Sequence, residues 1–225
     1  MKMVEGFIRI KLSVLLAMIT LLSGMLSSCG LFNEHTADKD EIAVIDVDKS
    51  HDHAATFKAL WIGKVGTYSL KLHRADRSWV DIWVEGYKKG KKLEQPLLAL
   101  SYGRYPHETY DGKVGLVWIY GANNKDMIKL YSESSSVGMV AIDQFIGDKS
   151  EAGRTGWEYT LGEDGLSLKP GETALIGSFR MNKGSLRTGY DWNDPEAVQE
   201  MIQSNDTVML LKIKVREEKS NTHHR

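Results

Sequence analysis

The sequence has one cysteine, Cys29, only four prolines, and almost no net charge, with 29 Lys+Arg against 30 Asp+Glu in 225 residues. A single cysteine excludes an internal disulfide and any Cys-rich zinc or iron–sulfur centre. A formal charge of -1 leaves no overall footprint for nucleic acid or for an anionic surface. Several catalytic signatures are missing too. There is no Walker loop, no dinucleotide fingerprint, no G-x-S-x-G elbow and no S-x-x-K pair. Nothing in the sequence calls for a cofactor. With 42% apolar and 26% charged residues, the chain nevertheless has the composition of a folded globular protein.

What is present begins at the N-terminus. Lys2, Arg9 and Lys11 face one acid, Glu5, and an uncharged apolar run follows from Leu12 to Leu26. The run is shorter than the ~20 residues of a membrane span and has the charged and apolar regions of a secretory signal. It ends in Leu26-Ser27-Ser28-Cys29-Gly30. This segment resembles the lipobox of bacterial lipoproteins, in which a branched residue and two small ones precede the cysteine to be lipidated. The resemblance implies that Cys29 receives a diacylglycerol and that the chain is cut before it, with the new amino group open to acylation. Each buried CH₂ contributes ~0.8 kcal/mol, and two or more chains anchor a protein stably. Residues 1–28 are therefore expected to be a signal peptide. Their removal takes away three bases and one acid, leaving a net charge of -3. The expected location is the outer face of a cell membrane, held there by lipid.

Residues 29–56 are mostly polar and are expected to form the lipidated N-terminus and a flexible tether, although Ile42-Ala-Val-Ile45 could add a short strand. From 57 to 216 the period is two. Tyr68, Leu70 and Leu72 alternate with polar residues, and so do Met209, Leu211, Ile213 and Val215 with Lys212 and Lys214 between them. Val114–Tyr120 and Val137–Ile142 are more uniformly apolar, as strands covered on both faces would be. Further strands are predicted at 57–62, 93–100, 126–132, 157–161 and 173–181. Charged or Gly-rich turns at 88–92 and 121–126 separate them. The pattern predicts a mainly β protein, an antiparallel sandwich. A Leu168-Lys-Pro-Gly-Glu172 turn before an apolar strand resembles an inter-strand turn of immunoglobulin-like domains. One helix is predicted near 194–204, with Asp194 as its cap, Pro195 in the first helical position, and Val198, Met201 and Ile202 on one face. Residues 217–225 read as a polar tail.

Two partial metal motifs fail on inspection. His107-Glu-Thr-Tyr-Asp111 lacks the second histidine of a zinc-protease helix and is flanked by Pro106 and Gly112. The stretch Asp46–Phe57 opens like a calcium loop, but has His51 where glycine is needed and Phe57 where the closing carboxylate belongs. His51, His53, His223 and His224 fall in the tether or tail, where no rigid ligand set is available.

The most distinctive pattern is Trp79-Val-Asp81-Ile-Trp83-Val-Glu85-Gly-Tyr87. As a strand, it places Val80, Ile82 and Val84 on one face and Trp79, Asp81, Trp83, Glu85 and Tyr87 on the other. Aromatics beside carboxylates suit a sugar ring or a cationic peptide. The same pattern also fits tryptophans packed under a neighbouring element. A second set, Tyr102, Arg104, Tyr105 and Tyr110, has the residue types of a recognition loop, or of a connector packed on a sheet edge. Three functions follow in order. The first is a non-enzymatic interaction domain binding an envelope or secreted protein, the second a glycan or small-ligand module, and the third an envelope hydrolase without a recognisable motif.

Overall fold

A computed structural model describes residues 40–50, 52–147 and 153–218. The segments read as a signal peptide and as a lipobox, with Cys29, lie outside the described residues, as do His51 and the tail beyond Glu218. The protein is a β-sandwich of two antiparallel sheets.

The first sheet contains β1 (Ala43–Val47), β2 (Gly63–Leu72), β6 (Tyr110–Ile119), β7 (Met127–Ser132), β8 (Val140–Ala141) and β10 (Leu166–Leu168), in the order β10-β1-β2-β6-β7-β8. The second contains β3 (Ser78–Lys88), β9 (Arg154–Tyr159), β11 (Thr173–Asn182) and β12 (Thr207–Glu217), in the order β3-β12-β11-β9. β4 (Lys91–Lys92) and β5 (Leu98–Gly103) both pair with the free edge of β3. Three short α-helices, α1 (Asp52–Ala59), α2 (Asp143–Ile146) and α3 (Pro195–Ser204), and one 3-10 turn at Ala122–Asn124 accompany the strands among the described residues. No helix among the described residues is long and apolar enough to cross a membrane.

The period-two residues do what alternation dictates. Tyr68, Leu70 and Leu72 of β2 face Val80, Ile82 and Val84 of β3 and Met209, Leu211, Ile213 and Val215 of β12 in one core. Tyr68, fully buried, donates its hydroxyl to the Ile176 carbonyl at 2.7 Å and so ties the two sheets together. Two strand glycines make room for an aromatic. A methyl on Gly66 would meet the Trp157 ring at 2.5 Å, and one on Gly177 would meet it at 3.0 Å.

The helix near 194–204 forms as read. The Asp194 carboxylate accepts the Glu196 N–H at 2.9 Å, Pro195 opens the first turn, and Met201 and Ile202 are buried. Met201 and Ile202 pack with Tyr190, Val208 and Leu210 in a second, smaller core on the outside of the second sheet. The Pro170-Gly171 turn, with Gly171 at φ +81°, joins β10 to β11.

Three local readings are corrected. The folded layer begins before the expected boundary at 57: the short strand read as an option at 42–45 forms as Ala43–Val47, paired between β10 and β2, and α1 follows it. The segment 57–62 is not a strand. Phe57–Ala59 close α1, and the turn that follows holds Trp61 in the left-handed region at φ +53°. A six-residue run with five apolar residues and Lys58 fits either state, and period alone does not separate them. Finally, Val137–Ile142 is not a central strand. Only Val140 and Ala141 pair, at the sheet margin, and Met139 and Val140 are exposed.

Candidate functional site

The outer face of the second sheet is divided by α3. Val208 and Leu210 of β12 lie under the helix, whereas Lys212, Lys214 and Arg216 continue the same face beyond it. Antiparallel register sets these cations beside the stripe of β3. Lys212 is opposite Trp83, Lys214 opposite Asp81, and Arg216 opposite Trp79. On the other side of β3, Ala99, Ser101 and Gly103 of β5 complete the rows.

Trp79, Asp81, Trp83 and Tyr87 are half-buried on this outward face, and Glu85 is buried. The aliphatic residues between them, Val80, Ile82 and Val84, are in the core. Trp79 lies against Gly103, where a methyl would meet ring atom Cε3 at 3.1 Å. The stripe is therefore neither sealed in the main core nor fully free.

Its carboxylates are already engaged. Asp81 accepts Ser101 Oγ at 2.6 Å and Arg216 Nε at 2.7 Å. Glu85 accepts Tyr87 OH at 2.8 Å, Trp83 Nε1 at 3.2 Å, Lys92 Nζ at 2.8 Å and Lys212 Nζ at 3.0 Å. Burial alone would raise the Asp81 carboxyl, but the hydrogen bonds from Arg216 and Ser101 outweigh it and lower the group. Burial would likewise raise Glu85, yet the hydrogen bonds from Lys92, Tyr87, Lys212 and Trp83 hold it at about 2. The face thus sets four cations, Lys92, Lys212, Lys214 and Arg216, against two satisfied carboxylates. That balance favours an acidic or aromatic counterpart over a cationic one.

The Glu85 network has a testable pH signature. Its folded pKa lies below its ordinary value of 4.5. Its stabilisation is therefore full above that value and is lost as pH falls toward 2. The stability gap between the native protein and Glu85→Gln, measured by urea unfolding, is expected to be widest at neutral pH and to close between pH 4.5 and 2. A gap that stays constant over that interval would show that the carboxylate network contributes nothing.

The tyrosine set is only partly brought together. Tyr102 points inward and is buried, with Tyr105 edge-on to it at 6.5 Å, and Tyr105 stacks on Tyr110 at 4.0 Å. Burial, together with neighbouring tyrosines, pushes the hydroxyls of Tyr102 and Tyr110 up. Arg104 is left out of this cluster. It is exposed, adopts φ +58°, and pairs with Glu218. These tyrosines cap one end of the sandwich. His107 and Glu108 sit in an exposed loop with no helix, and among the described residues no three His, Cys, Asp or Glu side chains converge as a metal site.

At the opposite end, a cleft of about 230 Å³ opens between the sheets, lined by Lys64, Trp118, Tyr120, Phe179 and Met181 among others. Ligand pockets usually begin near ~300 Å³, so the broad face is the better recognition surface. Fold and face together define a β-sandwich with an aromatic and cationic outer surface. Comparison with protein-family models, with characterised proteins and with solved structures finds no match to this chain.

Proposed function

We propose that the protein is a lipid-anchored extracytoplasmic β-sandwich that binds another envelope or secreted protein and catalyses nothing itself. The anchor would be Cys29, through acyl chains in the membrane. The recognition surface would be the uncovered half of the second sheet. The observation that supports this is the row Trp83, Lys212, Lys214, Arg216 and Trp79, in which the carboxylates are neutralised from within. Tryptophan and arginine are the side chains most often found at energetic centres of protein interfaces. A partner with acidic and aromatic groups fits this chemistry. A glycan module is the second reading, favoured by the half-buried Trp79 beside the side-chain-free Gly103 on the outward face. It would have to work without Asp81 and Glu85 as hydroxyl acceptors, so an anionic saccharide suits it better than a neutral one.

One experiment addresses the surface and the anchor together. A photo-crosslinking amino acid in place of Ala99, beside Trp83 in register, is expected to capture one reproducible partner in intact cells. Trp83→Ala or Lys214→Glu should reduce the adduct at least fivefold, and Arg104→Ala should not. Cys29→Ala should release the protein from the detergent phase. An adduct indifferent to both surface changes would overturn the recognition face, and unchanged partitioning would overturn the anchor.

A further inference from the structure

Three exposed segments meet at the Gly63 end of the first sheet. Gly63 is opposite Ile119, Ile119 is opposite Met127, and Met127 is opposite Ala141. The chain entering β2, the loop between β6 and β7, and the margin strand β8 are thereby side by side. The first of these presents Leu60, Trp61 and Ile62, which are 61%, 83% and 42% exposed. Met139 and Val140 add to the apolar surface at the margin.

Trp61 is held in this position. Its N–H donates to the Lys58 carbonyl, the Ile62 N–H donates to the Phe57 carbonyl, and the Tyr120 N–H donates to the Ile62 carbonyl. At φ +53° it occupies the left-handed region, which is costly for a bulky residue. No packing gain within the domain offsets that cost, because the ring is in solvent.

The charge nearest the turn is mostly positive, with the acids Asp52 and Asp143 lying just outside it, at the start of α1 and of α2. The stretches 54–65, 117–131 and 136–142 carry Lys58, Lys64, Lys125 and Lys129, and a single carboxylate, Asp126. Asp126 is fully buried, accepting Trp118 Nε1 at 2.6 Å and the Gly121 N–H at 3.0 Å. This local balance is hidden in the near-neutral total.

We infer that the Leu60-Trp61-Ile62 turn is a membrane-contact element that dips into the interface of an anionic bilayer. Tryptophan with aliphatic neighbours partitions to the headgroup region, and lysines beside it are attracted to anionic lipid. A projecting turn with its apolar side chains outermost and lysines beside them suits a lipid surface. The distances allow it alongside the proposed anchor. Thirteen residues lead from Cys29 to Ile42, a contour of at most about 45 Å, and the ten-residue β2 that separates the Ile42 end from the Trp61 end spans ~30 Å. The inference does not require that Cys29 be lipidated.

The test uses the full-length protein, purified from membranes and reconstituted into vesicles of phosphatidylcholine with 30% phosphatidylglycerol. Lipids brominated near the headgroup are expected to quench its tryptophan fluorescence. The quenched fraction should fall at least twofold in Trp61→Asn, where asparagine tolerates the left-handed backbone, and remain in Trp79→Phe. Lys58→Glu with Lys125→Glu, or vesicles without phosphatidylglycerol, should weaken quenching similarly. Equal quenching in the native protein and Trp61→Asn would overturn the inference. So would a Trp61 that ignores lipid but becomes shielded from iodide only when a protein is added, which would give the turn a protein partner instead. Detergent partitioning of Cys29→Ala reads a different residue, so the anchor and the turn can fail separately.

Discussion

Trp118→Ala is expected to destabilise the domain by about 3–5 kcal/mol, whereas Trp79→Ala and Trp83→Ala cost roughly 1 kcal/mol each. The three residues have the same side chain in opposite environments. Trp118 is 4% exposed and packs on Phe179 at a centroid distance of 4.1 Å. Its removal leaves a cavity between the sheets. It also deprives the fully buried Asp126 of a donor at 2.6 Å, which adds the penalty of an underserved buried carboxylate. Trp79 and Trp83 stand half-buried on the outer face with solvent on one side, so each loses part of its packing, and Trp83 also its hydrogen bond to Glu85. For a domain of this size the Trp118 change corresponds to roughly 6–20 °C in Tm. Thermal unfolding of the three variants reads the difference. Equal losses would mean that the stripe is core and that the recognition face does not exist as described.

Arg180→Met is expected to cost about 3–5 kcal/mol, and the double change Arg180→Met with Glu158→Gln to recover most of it. Arg180 is 1% exposed, on the outer face of the second sheet beneath the loop that precedes α3. Its guanidinium pairs with Glu158, donates to the Arg187 carbonyl at 2.6 Å, and lies 5.1 Å from the Tyr190 ring centroid. Removing the cation alone leaves Glu158 without its partner and the Arg187 carbonyl without its donor. Removing both charges leaves a surface that Tyr190 and Trp192 can pack against. Urea unfolding of the single and double variants checks this. A double variant no better than the single would show that the cost comes from lost packing and not from the stranded charge.

The strands and the capped helix were legible because their signals are local. Alternation in Tyr68–Leu72 and Met209–Val215 marks an inner face wherever the strand pairs. The Asp194-Pro195-Glu196 sequence specifies a helix start without help from the rest of the chain. α1 was not legible, since Phe57–Ile62 is a short apolar run and only the left-handed turn at Trp61 stops the helix. The outward set of β3 could be read from its own spacing. What surrounds it could not, because Asp81 meets Arg216 across 135 residues of sequence. The cations of β12 were visible as an alternating polar side. Only register shows that they neutralise the carboxylates and turn a surface that looks acidic in sequence into a basic one. Arg180 carried no sequence signal of burial.

The ends of the sheets set a further condition on how a partner can attach. The first sheet ends in β10, with three residues, and β8, with two. The second ends on one side in the interrupted pair β4 and β5, where Lys91 and Lys92 project, and on the other in the six-residue β9, with Gly156 at its middle. Short, interrupted or charged margins give an incoming strand few consecutive backbone groups to pair with. Strand addition is therefore a poor route onto this molecule. Copies crowded together on one surface would resist edge-to-edge polymerisation, and specificity falls to side chains on the broad faces.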